Sequence, residues 1–197
     1  MTSIREATEA DLPGIVQVYM RAYAQPPWNE QNPPGPSESY LRWVMGPQLA
    51  ACLVALPDAP AEAGEVLGFI LVGERPFAHF LEDWERMAER PAAGWPSIPG
   101  RLGYIWELAV NPAAQRRGVG SSLLGAAIER LRAAGVQTVV LRSSERAAAA
   151  MALYRRFSFQ RVPLRERRDP LAGPWILPLQ AAPGGPTLAD PGPAPAP

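Results

Sequence analysis

The sequence contains no lysine, one cysteine and one histidine. With Cys52 alone there is no internal disulfide. Cys52 and His79 together also fall short of a cysteine–histidine zinc ligand set, so no metal is expected. Cys52 lies in the apolar run LAACLVAL. Nothing nearby would lower its thiol pKa, so it reads as a small buried hydrophobe rather than a nucleophile. Without lysine there is no Walker A loop. An excess of charge is missing too: 19 basic and 19 acidic residues cancel. Nucleic acid or an anionic membrane as main partner needs a basic field, which this balance does not provide. No apolar run is long enough to span a bilayer. The start MTSIREATEADL lacks the apolar core of a secretory signal, so a cytoplasmic protein is the default expectation.

What is present is 197 residues, 47% hydrophobic and 19% charged, enough for one sizeable domain. Thr8 followed by Asp11 fits a capping box. Leu12, Ile15, Tyr19, Ala22 and Tyr23 then recur at helical spacing. The proline-rich AQPPWNEQNPPGPSES breaks that helix, and a second short one is expected around ESYLRWVMG. LAACLVALP and EVLGFILVG read as a hairpin of buried strands across DAPAEAG. Residues 74–101 look like an insertion whose middle is a helix bearing Phe77, Phe80, Leu81, Trp84 and Met87. The strand LGYIWELAV follows. Val119, Leu123, Ala127 and Leu131, with Leu124 and Ile128, then form one helical face ending at Gly135. A strand VQTVVLRSS, a helix ERAAAAMALYRRF and the strands FQRVPL and WILPL complete residues 1–179. Residues 180–197 are a Pro/Ala/Gly tail expected to be disordered. The fold class is a mixed α/β (α+β) domain around one central sheet.

The stretch NPAAQRRGVGSS, residues 111–122, joins a strand to a helix through a glycine turn. The first amides of a helix have no partner within it, and the helix dipole makes that end positive. Gly118 and Gly120 leave the backbone bare, and Arg116 and Arg117 add charge. The ligand expected there is a phosphate or diphosphate. A dinucleotide fingerprint would need a third glycine, and Leu123 occupies its place.

The pattern Gln115-Arg116-Arg117-Gly118-Val119-Gly120, preceded by ELAVNP, resembles the acetyl-CoA motif of the GNAT N-acetyltransferase superfamily. IREATEADLPGIVQVY and ALYRRFSF resemble two further segments of that family, so the similarity runs from about Ile4 to Leu179. The resemblance implies a mostly antiparallel central sheet flanked by helices, with a splayed cofactor strand. It also implies acetyl-CoA as cosubstrate and transfer of acetyl to a primary amine of a small molecule or peptide by direct attack in a ternary complex. Gln115, Arg116, Arg117, Gly118, Val119, Gly120 and Ser121 would hold the diphosphate. Leu108, Ala109 and Val110 would offer backbone groups to pantetheine.

Glu107 is the candidate base, or else a strand-edge glutamate paired with an arginine. Tyr154, in the family's Y-x-x-x-G-F box, is the candidate acid toward the CoA thiolate, or else a core tyrosine. Two positions depart from the family. Ser158 stands where glycine is usual, and Ala147 where an asparagine often contacts pantetheine, a role Ser143 or Ser144 would have to take. These departures keep a non-catalytic acyl-CoA-binding sensor or interaction module open as the alternative. Acceptor specificity would come from Tyr23, Trp28, Trp43, Phe77, Phe80, Trp84, Trp95 and Tyr104, with Glu30, Glu38, Glu82 and Asp83 among them, though each ring singly reads as core. His79 is a second candidate base, and a homodimer is left open.

Overall fold

An ion pair sets the entry into the first helix. In a computed structural model describing residues 2–46, 49–58, 65–87, 95, 98 and 102–179, Asp11 is buried and reaches back to the Thr8 backbone N–H at 2.6 Å. Arg5 grips both of its carboxylate oxygens at 2.8 Å. That guanidinium holds the Asp11 carboxyl well below the usual carboxylate range. Helix α1 (Leu12–Tyr23) starts there, and α2 (Pro34–Val44) follows the proline-rich loop.

The remaining elements are β1 (Thr2–Glu6), β2 (Leu49–Pro57), β3 (Gly68–Arg75), α3 (Phe77–Met87), β4 (Leu102–Val110), α4 (Val119–Ala133), β5 (Thr138–Ser144), α5 (Ala148–Arg156), β6 (Gln160–Arg161) and β7 (Ala172–Pro178). They form one seven-stranded sheet in the order β1-β2-β3-β4-β5-β7-β6. Only the central β4–β5 pair is parallel, joined by the α4 crossover. This is the mixed, mostly antiparallel architecture expected. No helix among the described residues is long and apolar enough to cross a membrane.

Each sheet face has its own core. Leu123, Leu124, Ala127, Ile128 and Leu131 of α4 pack on Ile70, Val72, Ile105 and Val139 on one side. On the other, Leu12, Ile15, Leu41 and Val44 of α1 and α2 cover Phe69, Leu71 and Ala109. Cys52 lies within this second core, where burial pushes its thiol up to about 12, in keeping with an inert hydrophobe. Phe80 and Trp84 of α3 join Leu102, Val140 and Ile176 in a third cluster. The tail of residues 180–197 lies outside the described residues.

Helix α5 ends in a Schellman turn, which explains the YRRFSF box. The Phe159 N–H donates to the Tyr154 carbonyl at 3.0 Å and the Ser158 N–H to the Arg155 carbonyl at 2.9 Å. The Tyr154 and Phe159 rings meet with centroids 5.8 Å apart. Ser158 sits at φ +64°, in the left-handed region where a side chain is strained. Ser158→Gly is therefore expected to stabilise the fold by about 1 kcal/mol, read as a raised Tm with CoA binding unchanged.

Candidate active site

The sheet opens at its centre. β4 pairs with β5 from Leu102↔Thr138 to Ile105↔Leu141 and no further, whereas β3 stays paired to β4 as far as Val110. The β4 edge beyond Ile105 thus has no strand on the β5 side. Leu108, Ala109 and Val110 lie along this opening, although the Val110 carbonyl accepts a hydrogen bond from Gln115 Nε2 at 3.2 Å.

A bulge sits at the mouth of the opening. Leu71 faces Glu107 and Val72 faces Ile105, so Trp106 is an extra residue in β4. Plain alternation would send Glu107 to the same face as Ile105, into the α4 core. The extra residue turns it to the α1–α2 face instead. Trp106 packs there against the second core, and the Glu107 carboxylate receives two phenols. Tyr23 of α1 donates to Oε2, and Tyr40 of α2 donates to Oε1 at 2.5 Å.

Glu107 is 8% exposed. Burial pushes its pKa up, and the two phenols and the charge of Arg142 pull against that rise. No ion pair of Glu107 is found among the described residues, and both of its oxygens accept from phenols. Tyr19 completes the group, its ring 4.7 Å from Tyr23 and 5.7 Å from Tyr40. Burial, with the charges of Glu107 and Glu30, lifts Tyr19 to about 12.

Tyr154 packs in the first core, on the α4 side of the sheet. It is buried and rests against Phe159 and Trp175. Burial and then the charge of Glu107 raise its pKa, keeping the phenol protonated. It is thus a core tyrosine by packing and a neighbour of Glu107 by electrostatics.

The glycine turn has the geometry of an anion site. Asn111 caps a single 3-10 turn, Pro112–Ala114, by accepting from the Ala113 N–H at 3.3 Å. Gln115, Arg116, Arg117 and Gly118 follow, all exposed. Arg116 and Gly118 adopt left-handed φ of +64° and +87°. The first backbone bond of α4 runs from the Ser122 N–H to the Gly118 carbonyl at 3.0 Å. The amides of Val119, Gly120 and Ser121 therefore lack an intrahelical acceptor. Val119 is buried and anchors the turn on the core. Arg156 bonds the Ser121 hydroxyl, adding a third arginine at this helix end.

Other expectations divide. Ser144 donates to Asp169 Oδ2 at 2.9 Å, so its hydroxyl fastens the loop before β7 rather than replacing an asparagine. Ala147 is an uncapped helix start. Phe77, Phe80, Trp84 and Trp95 form the third core instead of a binding surface. Trp28 lies against Tyr23 with centroids 5.9 Å apart, at the edge of the site. Glu38 pairs with Arg42, and Asp83 with Arg75 and Arg86.

His79 is exposed and lines a pocket of about 430 Å³ with Trp43, Glu74, Arg75, Asp83 and Trp106. There the Arg75 guanidinium lies 5.3 Å from the Trp106 ring, and Trp43 meets Trp106 edge-on at 6.2 Å. Tyr40 and Arg156 were the site residues the sequence did not single out. The phenol of a buried helix tyrosine needs a polar partner, and that need was the available signal for Tyr40.

Comparison with known proteins bears on this arrangement. The family model described as "Acetyltransferase (GNAT) family" matches residues 17–159. An L-methionine sulfoximine/L-methionine sulfone acetyltransferase of Pseudomonas aeruginosa is 34% identical over 160 residues, covering 80% of each chain. The ribosomal-protein-S18-alanine N-acetyltransferase from Escherichia coli superposes with a TM-score of 0.62 at 22% identity, over 92% of this chain and 96% of that one. A GNAT family acetyltransferase from Brucella melitensis in complex with acetyl-CoA gives a TM-score of 0.57 at 22% identity, over 94% and 93%.

Proposed function

The chain belongs to the acetyltransferase (GNAT) family and is an acetyl-CoA-dependent N-acetyltransferase of small molecules, and we propose that its acceptor is a small amino acid whose amine is deprotonated by Glu107. The observation that carries this reading is the buried carboxylate turned by the β4 bulge toward the mouth of the sheet opening. The methionine sulfoximine relative acts on an amino acid by its name. On the far side of Trp106 from Glu107, the pocket holds Arg75, paired with Asp83 and flanked by Glu74, and an acceptor carboxylate would have to share its guanidinium with Asp83.

The chemistry follows from the residues. The free amides of Val119, Gly120 and Ser121, with Arg116, Arg117 and Arg156, suit a diphosphate. The open edge of β4 suits pantetheine as an added strand, with an N–H of that strand polarising the acetyl carbonyl. An alkylamine with a pKa of about 10.4 is almost wholly protonated at neutral pH. Glu107, its pKa raised by burial, takes that proton. The freed amine nitrogen bonds the acetyl carbon, the carbon–sulfur bond breaks as Tyr154 protonates the departing thiolate, and the proton that the nitrogen then sheds returns to the Tyr154 oxygen.

Release of free CoA thiol with a panel of amines tests the reading. L-methionine sulfoximine should turn over, and its α-carboxamide should do so less well. Arg75→Met should lower kcat/KM for the amino acid by about 10–100-fold, the worth of a charge-assisted hydrogen bond, and leave the carboxamide nearly unchanged. Preference for polyamines or peptides would refute the acceptor class. Tight CoA binding without thiol release from any amine would favour the sensor alternative.

A further inference from the structure

We propose that Tyr23 relays the acceptor's proton to Glu107, and that Tyr40 is a positioning residue that holds the carboxylate for the relay. This inference rests on Glu107 being the base. Glu107 is 8% exposed, and each of its oxygens already accepts a phenol hydrogen bond. An amine entering the sheet opening therefore meets a phenol before it meets the carboxylate.

The two phenols are not equivalent. Tyr23, the last residue of α1, is fixed between the rings of Tyr19 and Trp28, at 4.7 and 5.9 Å. Trp28, itself among the exposed large hydrophobics, packs on it from the following loop, so Tyr23 stands at the rim of the site. Tyr40 packs instead between Tyr19, at 5.7 Å, and Trp43, at 6.4 Å, on the pocket side. Burial keeps both phenols protonated, so each is a donor to the carboxylate at rest.

The proton balance closes. The ammonium proton passes to Tyr23 Oη while Tyr23's own proton moves to Glu107 Oε2, and the freed amine nitrogen bonds the acetyl carbon. The carbon–sulfur bond breaks as Tyr154 gives its proton to the thiolate, and the proton shed by the nitrogen passes to the Tyr154 oxygen. Glu107 ends protonated and Tyr154 neutral, and loss of one proton to solvent restores Glu107. The charged and titratable groups that act electrostatically on Glu107 or feel its charge are Tyr19 and Tyr23 from α1, Glu30 from the following loop, Tyr40 from α2, Tyr104 from β4, Arg142 from β5 and Tyr154 from α5.

The test compares kcat, KM and pH profiles of Tyr23→Phe, Tyr40→Phe and Glu107→Gln, together with acetyl-CoA affinity. Tyr23→Phe should lose about 10²–10³-fold in kcat with acceptor KM within threefold, and should lose the acid limb as Glu107→Gln does. Tyr40→Phe should lose less than tenfold and keep the acid limb. That limb should move to higher pH, because one hydrogen bond to the ionised carboxylate is gone. Tyr23→Phe with near-normal kcat and an intact acid limb, alongside an impaired Glu107→Gln, overturns the relay and leaves the base standing. An unimpaired Glu107→Gln overturns the base itself. Should Tyr23→Phe lose acetyl-CoA binding, 3-fluorotyrosine at position 23 keeps the hydroxyl and makes it more acidic. The relay then requires a displaced pH profile, and an unmoved one rejects it.

Discussion

Glu107→Gln is expected to lower kcat by about 10²–10⁴-fold at neutral pH and, in the same variant, to raise Tm. The loss follows because an amide cannot accept the acceptor's proton. It should shrink as pH rises, since free amine then forms without help. An unchanged pH–rate profile would remove Glu107 as base.

The gain in stability has a separate cause. The folded-state pKa of Glu107 lies above its ordinary value because the ionised group is buried. For a group raised in this way, the favourable contribution is present below the unfolded pKa and is lost as pH climbs through the folded one. Wherever the folded carboxyl is ionised the wild type carries the cost of a buried charge, and glutamine removes it. On acidification toward and below the ordinary glutamate range that cost vanishes, so the Tm advantage of the variant should close. A Tm difference independent of pH would mean that the two phenols and Arg142 already offset the burial. Activity and stability thus pull apart at one residue, as expected of a base held out of water for its chemistry.

How much of this was legible in the letters depends on which physical rule each residue obeys. The α4 face from Val119 to Leu131 follows helical spacing, and the structure buries it. Ser158 in a glycine position foretold a left-handed φ, because the box fixes a Schellman turn whatever residue stands there. Glu107 could be named but not aimed. A period of two sends it into the α4 core, and a single-residue bulge leaves no trace in the pattern. The α3 rings show the converse limit. Their spacing announced an apolar helix face, but spacing does not say whether that face meets ligand or core, and here it meets Leu102, Val140 and Ile176. Tyr40 and Arg156 reach the site across 67 and 35 residues of chain, contacts that only the folded sheet creates.

Gly118→Asp is expected to weaken CoA binding by at least about 10²-fold, the cost of like charges forced together in a site, while the fold survives. Gly118 sits at φ +87°, and a Cβ built on it meets nothing within 4 Å. The change therefore brings backbone strain of about 1–2 kcal/mol but no clash. Asparagine and aspartate tolerate this region better than other side chains, so the strain is of the same kind for both. Gly118→Asn is then the control: the same backbone and nearly the same shape, without the charge. It should bind CoA within about tenfold of wild type if the turn faces a diphosphate, the 1.4 kcal/mol scale of residual strain and crowding. The contrast between the two variants should shrink at high salt, because the repelled charge is at an exposed helix end. Equal losses in both would assign the effect to the shape of the turn. Undiminished binding in Gly118→Asp would place the diphosphate elsewhere, since no anion could ignore a carboxylate set among the amides of Val119, Gly120 and Ser121.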